Sequence, residues 1–426
     1  MPRYSLCVRD LERTSVIQIA RHILLIALAV FSGCVNSDSG DSNEVPTSEG
    51  FDFVGMMASY ADGVLLPSYE RLESTIEVLS EPTGAIANYC GSISTADEGV
   101  MLDAARIAWQ EAMSSWQEAE AYLVGPVMDN GGSIRNSIYS FFSGSPLSTC
   151  AIDQAVMLAQ NPSFDLTNRS FNQRGLDALE YLLFNEDLTH TCPAQIVETQ
   201  TWNIQPAEQR KLLRCEYAFD LAEDVVLSAD GLGVAWQSSG GNFRTEFINP
   251  ENLADNFQQL SDALFYIELS TKDAKLGVPT GIKDGCSQLT CPEASESRFS
   301  DTALENIRSN LIGFRELLTG GAGLGFDDII IAEGFPEVNN NFHTNIEAAI
   351  TLIDSMDMSL LDQLAIIEGS GSDASCLNSA ANPETVQMIP VCSLHGFLKR
   401  ITDSLRTEFI VIVNVDLPDG AAGDND

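Results

Sequence analysis

Asp97 to Val124 reads DEGVMLDAARIAWQEAMSSWQEAEAYLV. Its apolar residues recur at Leu102, Ala105, Trp109, Met113, Trp116, Ala119 and Leu123, always three or four apart. That spacing follows the helical turn, so it predicts one long helix with a single apolar face. The pattern returns along the chain. Pro206 opens a helix with Leu213, Tyr217, Leu221 and Val225 on one side and Gly231 as its stop. Leu253, Phe257, Leu260, Leu264 and Ile267 make another helix. Ser300 precedes Leu304, Ile307, Leu311, Phe314 and Leu318, with Gly320-Gly321 as the stop. Ile346, Ile350 and Ile353, then Leu394, Leu398, Ile401 and Leu405, continue the series. Alternating strand patterns are rare. Phe409 to Val415 is β-branched and reads either as a short strand or as the buried end of the last helix.

The expected fold is therefore all-α, with helices pairing in bundles. A length of 426 residues suggests two domains or one large composite domain, and 44% hydrophobic residues suffice for real cores. The break Ser238-Ser239-Gly240-Gly241 sets the expected boundary between a first bundle, 51–237, and a second, 238–416, followed by an acidic tail, 417–426. Each half holds about four main helices, the count of a bundle.

The N-terminus reads as a targeting signal over 1–33. Arg13 and Arg21 precede the apolar run Ile23 to Phe31, too short to span a bilayer comfortably. Ser32-Gly33-Cys34 resembles a bacterial lipoprotein processing site, with Cys34 as the lipidated first residue. Residues 34–50 are rich in Ser, Asp, Asn, Glu and Gly and form a flexible tether. The expected location is the cell envelope. Val35 after the lipid cysteine is compatible with outer-membrane sorting, facing periplasm or medium. Eight further cysteines, Cys90, Cys150, Cys192, Cys215, Cys286, Cys291, Cys376 and Cys392, read as disulfides in an exported chain. Cys286 with Cys291 and Cys376 with Cys392 are natural local pairs, although spacing does not decide connectivity.

The formal charge is −39. Without 1–33, which holds four Arg and two acidic residues, 18 basic and 59 acidic residues remain, a net −41. Such a chain is no nucleic-acid binder. There is no His-Glu-x-x-His, no Gly-x-Ser-x-Gly and no phosphate-binding loop; the Gly321-x-Gly323-x-Gly325 run follows a helix and reads as a loop. With His190, His343 and His395 scattered, a zinc site built on histidine is not expected.

The polar candidates are carboxylates. In Gly175-Leu176-Asp177-Ala178-Leu179-Glu180, the two acids share one helix face while Leu176, Leu179 and Leu183 pack on an adjacent one. Acids on an apolar helix are costly unless a cation, a donor or water meets them. Gly175 lets a backbone or ligand approach. The plain alternative is a solvated acidic edge. Glu118 and Glu120, beside Trp116, are further candidates, with a solvated helix face as their alternative. Three carboxylates brought together would suit a hard cation such as iron, calcium or magnesium.

Several stretches, in order, resemble the imelysin family of bacterial envelope proteins, which includes an insulin-cleaving membrane protease. They are Tyr60-Ala61-Asp62 with Pro67 and Tyr69; Ala105-Arg106-x-Ala108-Trp109 with Trp116 and Gly125-Pro126-Val127; Gly277-x-Pro279-x-Gly281; Glu296-Ser297-Arg298-Phe299-Ser300 with Asn310-Leu311 and Gly320; and Asp419-Gly420. The family's Gly-x-His-x-x-Glu reads here Gly175-x-Asp177-x-x-Glu180, with aspartate in the histidine position. The resemblance implies two four-helix-bundle-like halves with this motif near their junction, and a role linked to bacterial iron uptake, with envelope iron-uptake proteins as partners. It points to Gly175, Asp177 and Glu180 as a metal or ligand site, with Trp109, Arg298 and Ser300 as candidate additions beside Glu118 and Glu120 from the helix pattern. Aspartate offers a hard anionic oxygen where imidazole offers a nitrogen ligand and proton shuttle. The expectation is thus a non-catalytic, lipid-anchored binding protein holding iron or calcium, or a partner. The alternatives are a metallopeptidase and an envelope scaffold or adhesion module without a small ligand.

Overall fold

The computed structural model describes residues 50–141, 147–418 and 421. The signal, Cys34, nearly all of the tether and most of the acidic tail lie outside the described residues. Among those described there is no β-strand.

The helix announced by Asp97–Val124 runs from Glu98 to Ala119. Ala105, Trp109, Met113 and Trp116 are enclosed as their spacing predicts, whereas Leu102 is only half-buried. The helix stops earlier than expected, at Ala119, and the chain then turns at Gly125, φ +64°, into a short 3-10 turn opened by Gly125-Pro126. The helix after Pro206 extends from Ala207 to Trp236 and passes through its expected stop at Gly231. Leu232 and Trp236, on its last turns, are fully buried. Each contributes about 1.5–3 kcal/mol, which outweighs the roughly 1 kcal/mol a helical glycine costs. The β-branched stretch near the C-terminus is helical. A π-turn over Leu405–Phe409 leads into Ile410–Val413, and Asn414 ends it at φ +57°.

Two hydrophobic cores result. The first gathers the tryptophan helix (Glu98–Ala119), Leu66–Ser80, Ala85–Ser92, the motif helix (Gly175–Phe184) and most of Ala207–Trp236. The second gathers Leu253–Leu264, Ala303–Thr319, Pro336–Asp354 and Pro390–Ser404; Met56 to Tyr69 and Trp236 pack into it as well. The tryptophan helix is the wall between them. Its other side meets Ala303–Thr319 so closely that a Cβ on Gly313 would lie 2.1 Å from the Glu118 carbonyl oxygen. Asn310 Nδ2 donates to the Gln117 carbonyl across the same contact, at 2.7 Å.

All eight cysteines of the described chain are paired: Cys90–Cys215, Cys150–Cys192, Cys286–Cys291 and Cys376–Cys392. The two short-range pairs are those the spacing suggests. The first two join segments 125 and 42 residues apart. No helix among the described residues is long and apolar enough to cross a membrane.

Candidate functional site

Gly175 opens the motif helix at φ +77°, and a Cβ there would come within 2.7 Å of the Ile138 carbonyl oxygen. Only glycine meets both conditions without strain. Trp109 fixes the same turn from the wall, its Nε1 donating to the Leu176 carbonyl at 2.8 Å. Trp109 is thus a positioning residue, fully buried and behind the site.

Asp177 and Glu180 share a face, and both are buried. Ser140 Oγ donates to Asp177 Oδ2 at 2.5 Å, and the Ala178 N–H to Oδ1 at 3.0 Å. Glu180 is met by the segment after Glu296. The N–H groups of Phe299 and Ser300 donate to its Oε1 at 2.9 and 2.8 Å, and the Ser300 hydroxyl lies 2.9 Å from the same oxygen. Ser297 (φ +47°) and Asp301 (φ +59°) bend this segment so that successive amides converge on one acceptor. Burial, only partly offset by these donors, pushes both carboxyls up to about 7. The charges of Glu180 on Asp177, and of Glu296 on Glu180, push the same way.

The two acids line a cavity of about 450 Å³. Tyr139, Phe141 and Phe299 supply aromatic wall, Ala274 and Val278 aliphatic wall, and Arg298 the exposed edge. The Arg298 guanidinium lies 4.9 Å from the Phe299 ring centre.

Behind Tyr139 lies a buried network in which sequence reasoning singles out Glu120 as a site candidate but misses Lys275 and Gln117. Tyr139 donates to Glu296 Oε1 at 2.8 Å, and Lys275 Nζ reaches that oxygen at 3.0 Å and Glu120 Oε2 at 2.8 Å. Gln117 joins through Glu296 and Lys275. Burial raises the Glu296 carboxyl, with Lys275 opposing and Glu120 adding to the rise. Lys275 sits on a π-helix, Ile267–Gly277, an unusual backbone that often marks functional positions. A lysine within a buried stretch of so acidic a chain was the available signal. Glu296 stood in the sequence beside Arg298 and Ser300.

The structure thus brings Asp177, Glu180, Arg298 and Ser300 together, with Glu120 one layer behind on Lys275. Glu118 does not join them. It points away and pairs with Arg71, so its placement beside the motif acids is corrected: one residue along a helix from an inward position turns the side chain by about a quarter turn. The expected hard cation is tested by the donor set. Glu180 Oε1 is taken up by its amides, and both Asp177 oxygens hold donors. The described residues contain no cluster of three or more His, Cys, Asp or Glu placed to hold an ion. A calcium-like ion wants about six to eight oxygens. The residues present do not fit such an ion.

Comparison with known proteins agrees with this architecture. The family model described as Imelysin matches residues 65–376. Iron-regulated protein A of Synechococcus elongatus is 23% identical over 288 residues, 67% of this chain and 66% of that protein; the match therefore spans slightly less than two thirds of the relative. The crystal structure of an imelysin-like protein from Psychrobacter arcticum superposes with a TM-score of 0.61 at 14% identity, covering 86% of this chain and 98% of the other. A solved structure from Parabacteroides distasonis gives a TM-score of 0.59 at 13% identity, over 88% and 96% of the respective chains.

Proposed function

Since the chain belongs to the imelysin family, we propose that it is an envelope protein of bacterial iron acquisition, working by binding at the cavity beside Gly175, Asp177 and Glu180. The observation that carries this reading is the coincidence of that motif with a lined cavity holding two desolvated acids. Buried ionisable groups with strongly shifted titration, gathered at a cleft, mark functional sites. The iron link draws on the relative named iron-regulated protein A. Four disulfides suit an oxidising compartment outside the cytosol. The anchor in this reading is the lipidated Cys34, which tethers the domain to the outer membrane through 35–50.

Binding is preferred to proteolysis because of the residues at the motif. Aspartate in place of histidine, with its oxygens committed to Ser140 and Ala178, leaves no imidazole to hold a catalytic metal or move a proton.

The test is a deletion strain grown with a ferric chelator. The wild-type gene restores growth, and Ala274→Trp, which fills the cavity from the Ile267–Gly277 helix, does not. Full rescue by a folded Ala274→Trp protein would show that the cavity is not the working site. In the same strain, Cys34→Ser moves the protein from the membrane to the soluble fraction if the lipid tether is correct.

A further inference from the structure

We propose that the cavity beside Asp177 and Glu180 takes a small organic cation, an ammonium-bearing molecule with an apolar body, rather than a bare metal ion. The inference rests on the reading of this cavity as the functional site and adds the chemical class of its ligand.

The first ground is the state of the Glu180 carboxylate. The side chain is 3% exposed, yet every donor that meets it lands on Oε1. Among the described residues no hydrogen-bond donor meets its Oε2, and Glu180 lines the cavity. A carboxylate oxygen left open on a cavity wall can accept a hydrogen bond from a ligand.

The second ground is charge. Neither Asp177 nor Glu180 forms an ion pair with any described Lys or Arg. The cation behind them, Lys275, stands between Glu120 and Glu296. The two acids of the floor thus lack a paired cation among the described residues, and Arg298 stands at the exposed edge of the lining. A ligand ammonium would supply the paired cation and donate a charge-assisted hydrogen bond to Oε2.

The third ground is shape and lining. About 450 Å³ is the room of a small organic molecule. A dehydrated ion would leave most of it empty and would still lack ligands. The walls are Tyr139, Phe141 and Phe299, faces that attract a cation and cover an apolar chain.

The substitution that isolates the claim is Glu180→Gln. Its amide oxygen can keep the bonds from Phe299, Ser300 and the Ser300 hydroxyl, while the cavity-facing oxygen becomes an NH2. Purified protein is titrated by calorimetry at pH 8 with tyramine, agmatine and cadaverine, with 4-ethylphenol as the neutral counterpart of tyramine, and with calcium chloride. At least one amine is expected to bind, 4-ethylphenol at least about tenfold more weakly than tyramine if tyramine is that amine, and Glu180→Gln to lose about tenfold in amine affinity, roughly 1.4 kcal/mol. Calcium is expected not to compete. The proposal is overturned if none of the amines binds, if Glu180→Gln binds them unchanged, or if calcium displaces them. Growth under the ferric chelator separates the two readings. Loss of function in Ala274→Trp with no amine binding leaves the cavity as the site and removes only the ligand class.

Discussion

The motif helix carries buried charge on two sides, and the two are handled differently. At its start, Arg174 grips Asp224 through two guanidinium nitrogens at 2.6–2.9 Å. One turn beyond Glu180's partner acid, the Tyr181 hydroxyl lies 3.0 Å from Asp153, which Arg214 meets at 3.5 Å. Each acid there has a guanidinium. On the cavity side, Asp177 and Glu180 have only hydroxyl and amide donors. A matched buried pair holds a structure together by the penalty of breaking it. A buried acid left without a cation holds nothing that an apolar residue could not hold better, and such groups concentrate where a protein binds or reacts.

The comparison can be broken in several ways. Asp224→Ala strands the Arg174 guanidinium and is expected to cost about 3–5 kcal/mol, read as a lowered urea midpoint. Gly175→Ala acts on the cavity side through the backbone, forcing a Cβ towards the Ile138 carbonyl at a positive φ; roughly 2–4 kcal/mol is expected in the same assay. The pH response should mark the cavity side. Asp177 and Glu180 sit near 7 in the fold, above the ordinary carboxylate range. The folded state then binds more protons than the unfolded one, so their stabilisation is complete below about pH 4 and is lost as pH rises through about 7. Each of the two carboxyls should contribute roughly 2–3 kcal/mol to the difference in unfolding free energy between pH 5 and pH 8, and Glu180→Gln should remove its share, about half of the total. Glu180→Gln itself should cost less than about 1 kcal/mol at pH 8, since its donors are retained. Smallest of all, Glu118→Gln, which loosens the half-exposed pair with Arg71, should change stability by about 0–1 kcal/mol. A large effect there would mean that surface pairing matters more in this acidic chain than the contrast allows.

The helical architecture was legible because burial follows local periodicity. Trp109, Met113 and Trp116 declare their face within a single helix. Helix ends were less legible. Gly231 carries a local cost, but Leu232 and Trp236 answer to a core assembled from distant segments. The site followed the same division. Gly175, Asp177 and Glu180 are neighbours in sequence and could be read together, as could Arg298 and Ser300. Lys275 reaches Glu120 across 155 residues of chain and Glu296 reaches Tyr139 across 157, and no spacing rule joins such positions. Glu118 and Glu120 show the limit at its finest. Two residues apart, they turn to opposite surroundings, one to Arg71 near solvent and one to Lys275 in the interior.

Gly313 has a consequence of another kind. At this position two helices touch through their main chains, with no side chain between them to absorb a change. A single methyl group would act as a wedge, and the surfaces it would drive apart are those that carry Asn310 and Gln117, next to the Lys275 cluster. Gly313→Ala is therefore the natural temperature-sensitive allele of this molecule. It would fold in the cold and come apart on warming along the seam between its cores, turning a fixed interface into one that can be opened in a living cell.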